Sequence, residues 1–145
     1  MADRKIRVLL GKIGLDGHDR GIRMIATWLS RAGTEVIYMG THQTAERMAR
    51  AAVEEDVDVI GLGFQGADHI PMVRMMADHI KAYGLEDRLL VVGGNIPRRD
   101  VNVLKQIGVD EVFPSGTFMS VAVTYIKENA YRRRKLGGGT NESKG

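Results

Sequence analysis

The sequence contains no cysteine, and this absence excludes several kinds of protein. Without thiolates the chain cannot form disulfide bonds, cysteine-ligated zinc sites, cysteine-bound iron–sulfur clusters or a cysteine nucleophile. Long apolar runs are also missing, since none approaches the roughly 20 residues that a membrane helix needs. The first residues are not followed by the apolar core of a signal peptide. We therefore expect a cytoplasmic protein that does not enter a membrane.

The chain also lacks a strong excess of charge of one sign. Lysine and arginine number 21 and aspartate and glutamate 18, a net charge of +3 that gives no basis for nucleic-acid binding. With 145 residues, 43% of them hydrophobic, the chain has the size of one globular domain. We expect that domain to span residues 1–135. Residues 136–145, rich in glycine and polar residues, are expected to form a flexible tail.

Short apolar runs alternate with segments of helical periodicity. The runs are Ile6–Leu10, Glu35–Tyr38, Val57–Leu62, Leu89–Val92 and Glu111–Phe113. Between the first two, Ile22, Ile25 and Leu29 recur at the spacing of one helix face. Strand and helix in strict alternation predict an α/β fold with a parallel sheet covered on both faces. Five such units favour the flavodoxin-like, doubly wound form with strand order 2-1-3-4-5.

In such a fold, ligands bind beyond the carboxyl ends of the strands. The loop after the first strand is rich in glycine and places Asp16 and His18 two positions apart. A carboxylate beside an imidazole fixes the tautomer and strengthens the other ring nitrogen as a metal donor. Without a ligand, the same histidine is an ordinary solvated side chain. Both interpretations are open at this point.

A conventional zinc site fits the sequence poorly. The other histidines, His42, His69 and His79, lie in separate segments, whereas zinc needs three or four ligands. A metal that arrives inside a macrocycle needs only one protein ligand, and one histidine in a flexible loop can supply it.

Glycines follow three further strands. Gly61–Gly66 matches the GxGxxG pattern of dinucleotide-binding turns, but after the third strand, so a nucleotide-binding module remains an alternative. The pair Gly93 and Gly94, and the Gly116-Thr117 sequence at a helix start, can receive phosphate or polar groups. In the predicted fold all these loops converge on one edge of the sheet.

The motif from Asp16 to Gly21 matches the D-x-H-x-x-G signature of cobalamin-binding domains. With Gly14 and Leu15 before it, the string resembles the acyl-CoA mutase branch, such as the C-terminal domain of methylmalonyl-CoA mutase. The resemblance continues at Gln43-Thr44, at residues 92–97 and at residues 114–117. It extends over roughly residues 5–130, nearly the whole chain.

The resemblance implies that adenosylcobalamin binds base-off, with His18 as the lower axial ligand of cobalt. It also implies that Asp16 bonds the other ring nitrogen, that Lys12 extends this network, and that the cofactor serves a radical rearrangement of an acyl-CoA. The other cofactor-binding residues are then expected to be Gly17, Asp19, Arg20, Gly21, Ile25, Gly63, Gln65, Gly93, Gly94, Pro114, Gly116 and Thr117.

One position departs from the family pattern. Domains of this kind carry Ser-x-Leu after the third strand, where this chain has Gly63 and Gln65 with Phe64 between them. Loss of one neutral hydrogen bond costs about 1 kcal/mol, which lowers affinity several-fold without abolishing binding.

The resemblance also implies a partner. Mutases of this family hold the acyl-CoA in a TIM barrel, which needs about 250 residues that this sequence does not contain. We therefore expect a small subunit that is inactive alone and meets a large catalytic subunit. The alternative is a stand-alone corrinoid-binding carrier or sensor module without mutase activity. A phospho-acceptor receiver domain would need an aspartate where Gly63 ends the third strand, and is excluded.

Overall fold

The computed structural model describes the backbone of residues 4–144 and the side chains of residues 4–131, 133 and 134. The strands are β1 (Arg7–Ile13), β2 (Glu35–Gln43), β3 (Val59–Phe64), β4 (Leu89–Gly94) and β5 (Glu111–Pro114). The helices are α1 (Arg20–Arg31), α2 (Ala45–Glu54), α3 (His69–Ala82), α4 (Val101–Ile107) and α5 (Met119–Lys144), with a 3-10 turn at Arg98–Asp100. Within the described residues, every helix is too short or too polar to cross a membrane.

All strand pairs are parallel, and the strand order is β2-β1-β3-β4-β5. This confirms the predicted flavodoxin-like sheet. Successive side chains of β1 enter two separate cores, because the sheet is covered on both faces. Leu9 packs with apolar residues of α2, α3 and α4, whereas Val8 and Leu10 pack with residues of α1 and α5. The winding direction changes between β1 and β3, which opens a crevice at their carboxyl ends.

Both β1 and β2 run further than their apolar runs predicted. β1 continues through Ile13, so that Lys12 lies in a strand rather than in the glycine-rich loop. β2 continues through Gln43, and its pairing with β1 is irregular, since Gly11 and Ile13 pair with Gly40 and Gln43. Tertiary pairing therefore overrides the weak strand propensity of these glycine and polar residues.

The last helix, α5, extends to Lys144 and so passes residue 135, where the predicted domain ends. The side chains after Arg134 lie outside the described residues. The division into a domain of residues 1–135 and a flexible tail therefore stays a prediction.

A buried carboxylate ties the chain together at the amino ends of the strands. Asp58 accepts hydrogen bonds from Arg4 (2.6 Å), from the backbone N–H of Arg7 (2.8 Å) and from Arg134 of α5 (2.8 Å). Burial raises the pKa of this carboxyl, but the three donors outweigh burial, and the pKa is lower than that of an ordinary aspartate. The charged form of Asp58 therefore stabilises the fold.

Acid is expected to weaken the fold through Asp58. Because the pKa of Asp58 is lower in the folded than in the unfolded chain (about 3.9), its stabilisation is fully present only at a pH well above that unfolded value. It is lost as the pH falls through the folded value. Asp58→Asn is expected to lower the unfolding free energy at neutral pH by about 1–3 kcal/mol and to flatten its acid dependence. Urea unfolding near pH 7 and pH 3 measures both; an equally steep acid dependence in the variant contradicts this account.

Candidate functional site

A cavity of about 280 Å³ opens at the carboxyl edge of the sheet, between α1 and α5. Its floor is formed by the ends of β1, β3 and β4, and its walls include Ile22 and Ile25 of α1 and Ala122 and Ile126 of α5. The lining is mostly apolar, and His18 lies among the few polar residues. The site therefore lies where the fold predicts one.

Missing side chains keep the floor of this cavity open. A Cβ atom at Gly61 would lie 2.6 Å from Cδ2 of Leu10, and one at Gly63 would lie 3.4 Å from Cβ of Ile22. A Cβ at Gly93 would lie 3.4 Å from the carbonyl oxygen of Phe113. Neighbouring atoms therefore pack closely against these glycines, and a side chain at any of the three would crowd the floor of the cavity.

His18 exposes one ring nitrogen to solvent, and Asp16 fixes the other through a hydrogen bond. Its side chain is 78% exposed, and Nδ1 lies 2.8 Å from Oδ1 of Asp16. The same oxygen accepts a hydrogen bond from the backbone N–H of His18 (3.0 Å). Because an ionised carboxylate only accepts, the neutral imidazole carries its proton on Nδ1, and Nε2 keeps a free lone pair. This is the arrangement of a metal-binding histidine with its supporting carboxylate.

The second oxygen of Asp16 anchors the loop to the sheet. Oδ2 accepts from the backbone N–H groups of Gln65 (2.9 Å) and Gly66 (3.2 Å) and lies 3.2 Å from Nζ of Lys12. Burial raises the pKa of Asp16, but hydrogen bonds from His18, Gln65 and Lys12 outweigh burial and hold the pKa far below the ordinary value. Asp16 is therefore a carboxylate at any physiological pH.

Lys12, which lies in β1, links the His18 loop to β3. Its side chain is only 3% exposed, and Nζ donates to the carbonyl oxygen of Gly63 (3.1 Å) while it faces Asp16. The predicted contacts among Lys12, Asp16 and His18 are thus present in the structure. Their catalytic role stays a prediction.

The predicted cofactor-binding residues separate into two groups. Those that line the cavity with Lys12 and His18 are Gly21, Ile25, Gly63, Gln65, Gly93, Gly94, Pro114, Gly116 and Thr117. Gly17, Asp19 and Arg20 do not line it; Asp19 instead pairs with Arg23 one helical turn along (2.7 Å). Their role in cofactor binding stays a prediction.

Sequence reasoning missed several lining residues. Met119, Ala122 and Ile126 of α5 reach the cavity, as does Ser115. The helical residues carry the pattern of an inward-facing stripe, which does not distinguish a core from a cavity wall. Their placement follows from the packing of α5 beside α1, which the sequence does not display.

The remaining histidines do not assemble a metal centre. His69 is buried, and its Nε2 lies 2.8 Å from Oδ2 of Asp100, so it joins α3 to the turn before α4. Throughout the described part of the chain, no group of three or more histidine, aspartate or glutamate side chains is placed to hold an ion.

Comparison with known proteins identifies the class of domain. Residues 6–124 match the B12 binding domain family. A cobalamin-binding protein from Desulfitobacterium hafniense shares the fold, with a TM-score of 0.76 at 22% identity over 86% of this chain and 59% of that one. Together with the cavity at the carboxyl edge, the match defines a B12-binding domain.

Relatives specify the kind of protein that carries this domain. The pivalyl-CoA mutase small subunit of Xanthobacter autotrophicus is 46% identical over 78% of this chain and 76% of that protein. The 2-hydroxyisobutanoyl-CoA mutase small subunit of Aquincola tertiaricarbonis is 38% identical over 81% and 86%. A Streptomyces virginiae methylmalonyl-CoA mutase large subunit is 40% identical over 79% of this chain, which is 16% of that protein. The chain belongs to the family of cobalamin-binding small subunits of acyl-CoA mutases.

Proposed function

We propose that this chain carries adenosylcobalamin for a two-chain acyl-CoA mutase and holds the cofactor base-off, with His18 as the lower axial ligand of cobalt. The observation that carries the proposal is the imidazole of His18, fixed through Nδ1 by Asp16 at the mouth of a glycine-floored cavity. The free Nε2 is the expected donor to the metal.

The residues present fit this cofactor. A cobalt ion held in a corrin ring needs one further protein ligand on its lower face, and one exposed imidazole is available. A cavity of about 280 Å³ is at the lower limit of small-molecule sites, so it suits the nucleotide tail while the corrin remains outside. Its apolar lining suits the aromatic base of that tail.

When bound, adenosylcobalamin supplies the radical chemistry of a carbon-skeleton rearrangement. The chain's own residues position it: Asp16 holds the Nδ1 proton of His18, and Lys12 keeps the carboxylate in place. The departure at Gly63 and Gln65 leaves this network intact, because Lys12 and Asp16 contact the backbone of those residues rather than their side chains.

Asp16→Asn is expected to weaken cobalamin binding about 10–100-fold, the usual loss when the carboxylate behind a metal-bound histidine is removed. The amide cannot accept from His18, Lys12 and two backbone N–H groups with the strength of a carboxylate. Absorbance titration of adenosylcobalamin measures the change. Asp78→Asn, on the exposed surface of α3, is the control and is expected to bind as the wild type does. Equal affinity in both variants contradicts the assigned role of Asp16.

Two large, exposed apolar side chains near the cavity favour the presence of a partner subunit. Leu15, in the His18 loop, is 90% exposed, and Phe118, next to the lining residue Thr117, is 76% exposed. Exposed apolar side chains of this size are available to be buried against a partner. We infer that a large catalytic subunit, with a barrel that binds the acyl-CoA, covers this rim.

Mutase turnover is expected to require that subunit. With adenosylcobalamin alone the chain is expected to show no turnover, and the large subunit that co-purifies with it is expected to restore activity. The double variant Leu15→Ser, Phe118→Ser is expected to need about tenfold more large subunit for half-maximal activity. Val53→Ser, at an exposed apolar position of α2, is the control. Turnover by the single chain contradicts the proposal, and cobalamin binding without any large partner favours a carrier or sensor module.

A further inference from the structure

His42 occupies an unusual position at the end of β2. Its backbone has a φ of 60°, and among the described residues only Asp56 shares a positive φ without being glycine. Residues that carry a Cβ atom rarely adopt this backbone conformation. It persists where the surrounding structure enforces it. The exposed imidazole is therefore held in a place that the backbone alone does not favour.

A bulge in β2 brings the imidazole there. Gly11 and Ile13 of β1 pair with Gly40 and Gln43, so that β2 has one more residue than β1 opposite Lys12. Bulges interrupt the alternation of a strand and redirect a side chain, and they are frequent beside functional sites. Here Cε1 of His42 lies 3.8 Å from where a Cβ atom at Gly17 would stand, so the ring lies beside the residue that precedes His18.

Two hydrogen bonds fix this arrangement. Nδ1 of His42 lies 2.9 Å from Oγ1 of Thr41, which holds the ring, and the backbone N–H of Gly14 donates to the carbonyl oxygen of Gln43 (3.0 Å). The end of β2 thus contacts the loop at Gly14, and the ring of His42 lies beside the loop at Gly17. Asp16 anchors the same loop from the opposite side, to the backbone just after β3.

We propose that His42 is a positioning residue, which braces the Gly14–His18 loop from the β2 side and keeps the imidazole of His18 at the cavity mouth. Gly14 and Gly17 make the loop flexible, so that one anchor at Asp16 leaves its outer side free to move. This inference rests on the proposed axial role of His18.

His42→Gly tests the brace, because it removes the ring and also accepts the positive φ. We expect the variant to be no less stable in urea than the wild type. In the cofactor-free chain, amide hydrogen exchange of residues 14–18 is expected to accelerate about threefold to tenfold. The dissociation constant for adenosylcobalamin is expected to rise by about the same factor, with a smaller base-off fraction at subsaturating protein.

Two further variants separate the ring from the backbone. His42→Phe keeps a ring beside Gly17 and is expected to retain loop protection and affinity within about twofold. His42→Asn tolerates the positive φ but is too short to reach Gly17, and is expected to behave like His42→Gly. If His42→Asn protects the loop from exchange and His42→Phe does not, the proposal is overturned.

Two controls lie away from the site. Asp56→Gly relieves the other positive φ, of 48°, and His79→Ala removes a half-buried imidazole from α3. Both are expected to leave the loop unchanged. Wild-type exchange and affinity in His42→Gly overturn the inference. A wild-type spectrum that stays base-on instead refutes the axial role of His18, and the exchange of the cofactor-free chain then still decides whether His42 braces the loop.

Discussion

Replacing His18 with alanine is expected to abolish base-off binding of adenosylcobalamin and to lower its affinity at least about 100-fold. Loss of a supporting group already costs up to about that factor, and His18 is itself the proposed ligand. The exposed ring contributes little to folding, so the variant is expected to unfold at the wild-type urea concentration. Absorbance titration follows the base-off spectrum directly.

His79→Ala is the matched control for this substitution. His79 is a histidine on α3 whose Nδ1 lies 2.9 Å from the carbonyl oxygen of Met75, and it does not line the cavity. Its removal is expected to leave cobalamin binding unchanged. If the two alanine variants titrate alike, the assignment of His18 as axial ligand is wrong.

The substitution Gly94→Ala is expected to destabilise the fold by about 4 kcal/mol, the sum of backbone strain and a severe clash. Gly94 has a φ of +119°, and a Cβ atom there would lie 1.9 Å from the carbonyl oxygen of Phe64 on the neighbouring strand. Since the obstacle is backbone, β3 and β4 must separate to relieve it. The same displacement disturbs the floor of the cavity, so cobalamin binding is expected to fail with the fold.

Gly108→Ala separates the two contributions. Gly108 also has a positive φ, of +136°, but a Cβ atom there would meet nothing within 4 Å. Its substitution is expected to cost only the strain of the backbone, about 1–2 kcal/mol. Urea unfolding compares the two variants, and equal losses of stability would show that the clash with Phe64 is not the cause.

Much of the fold is predictable because its determinants are local. The spacing of Ile22, Ile25 and Leu29 correctly predicts the helix α1, and Thr44 caps α2 locally by accepting from the backbone N–H of Arg47. The strand order follows from the alternation of strands and helices together with the known handedness of crossovers.

The contacts of the site are less predictable because they join distant segments. Asp16 meets the backbone of Gln65, which lies 49 residues along the chain, and only the pairing of β1 with β3 brings them together. The burial of Lys12 depends on the extension of β1, which its glycine-rich sequence does not indicate. The bulge that places His42 beside Gly17 likewise depends on the register of β2 against β1.

One measurement tests the axial role of His18 most directly. The protein is labelled with ¹⁵N-histidine, loaded with unlabelled cobalamin, reduced to the cobalt(II) state and examined by electron paramagnetic resonance. Coordination by His18 predicts that each cobalt line splits into a doublet, because ¹⁵N has spin one half. Triplet splitting, unchanged by the label, would show that the cofactor's own base remains bound to cobalt and would contradict the proposed function.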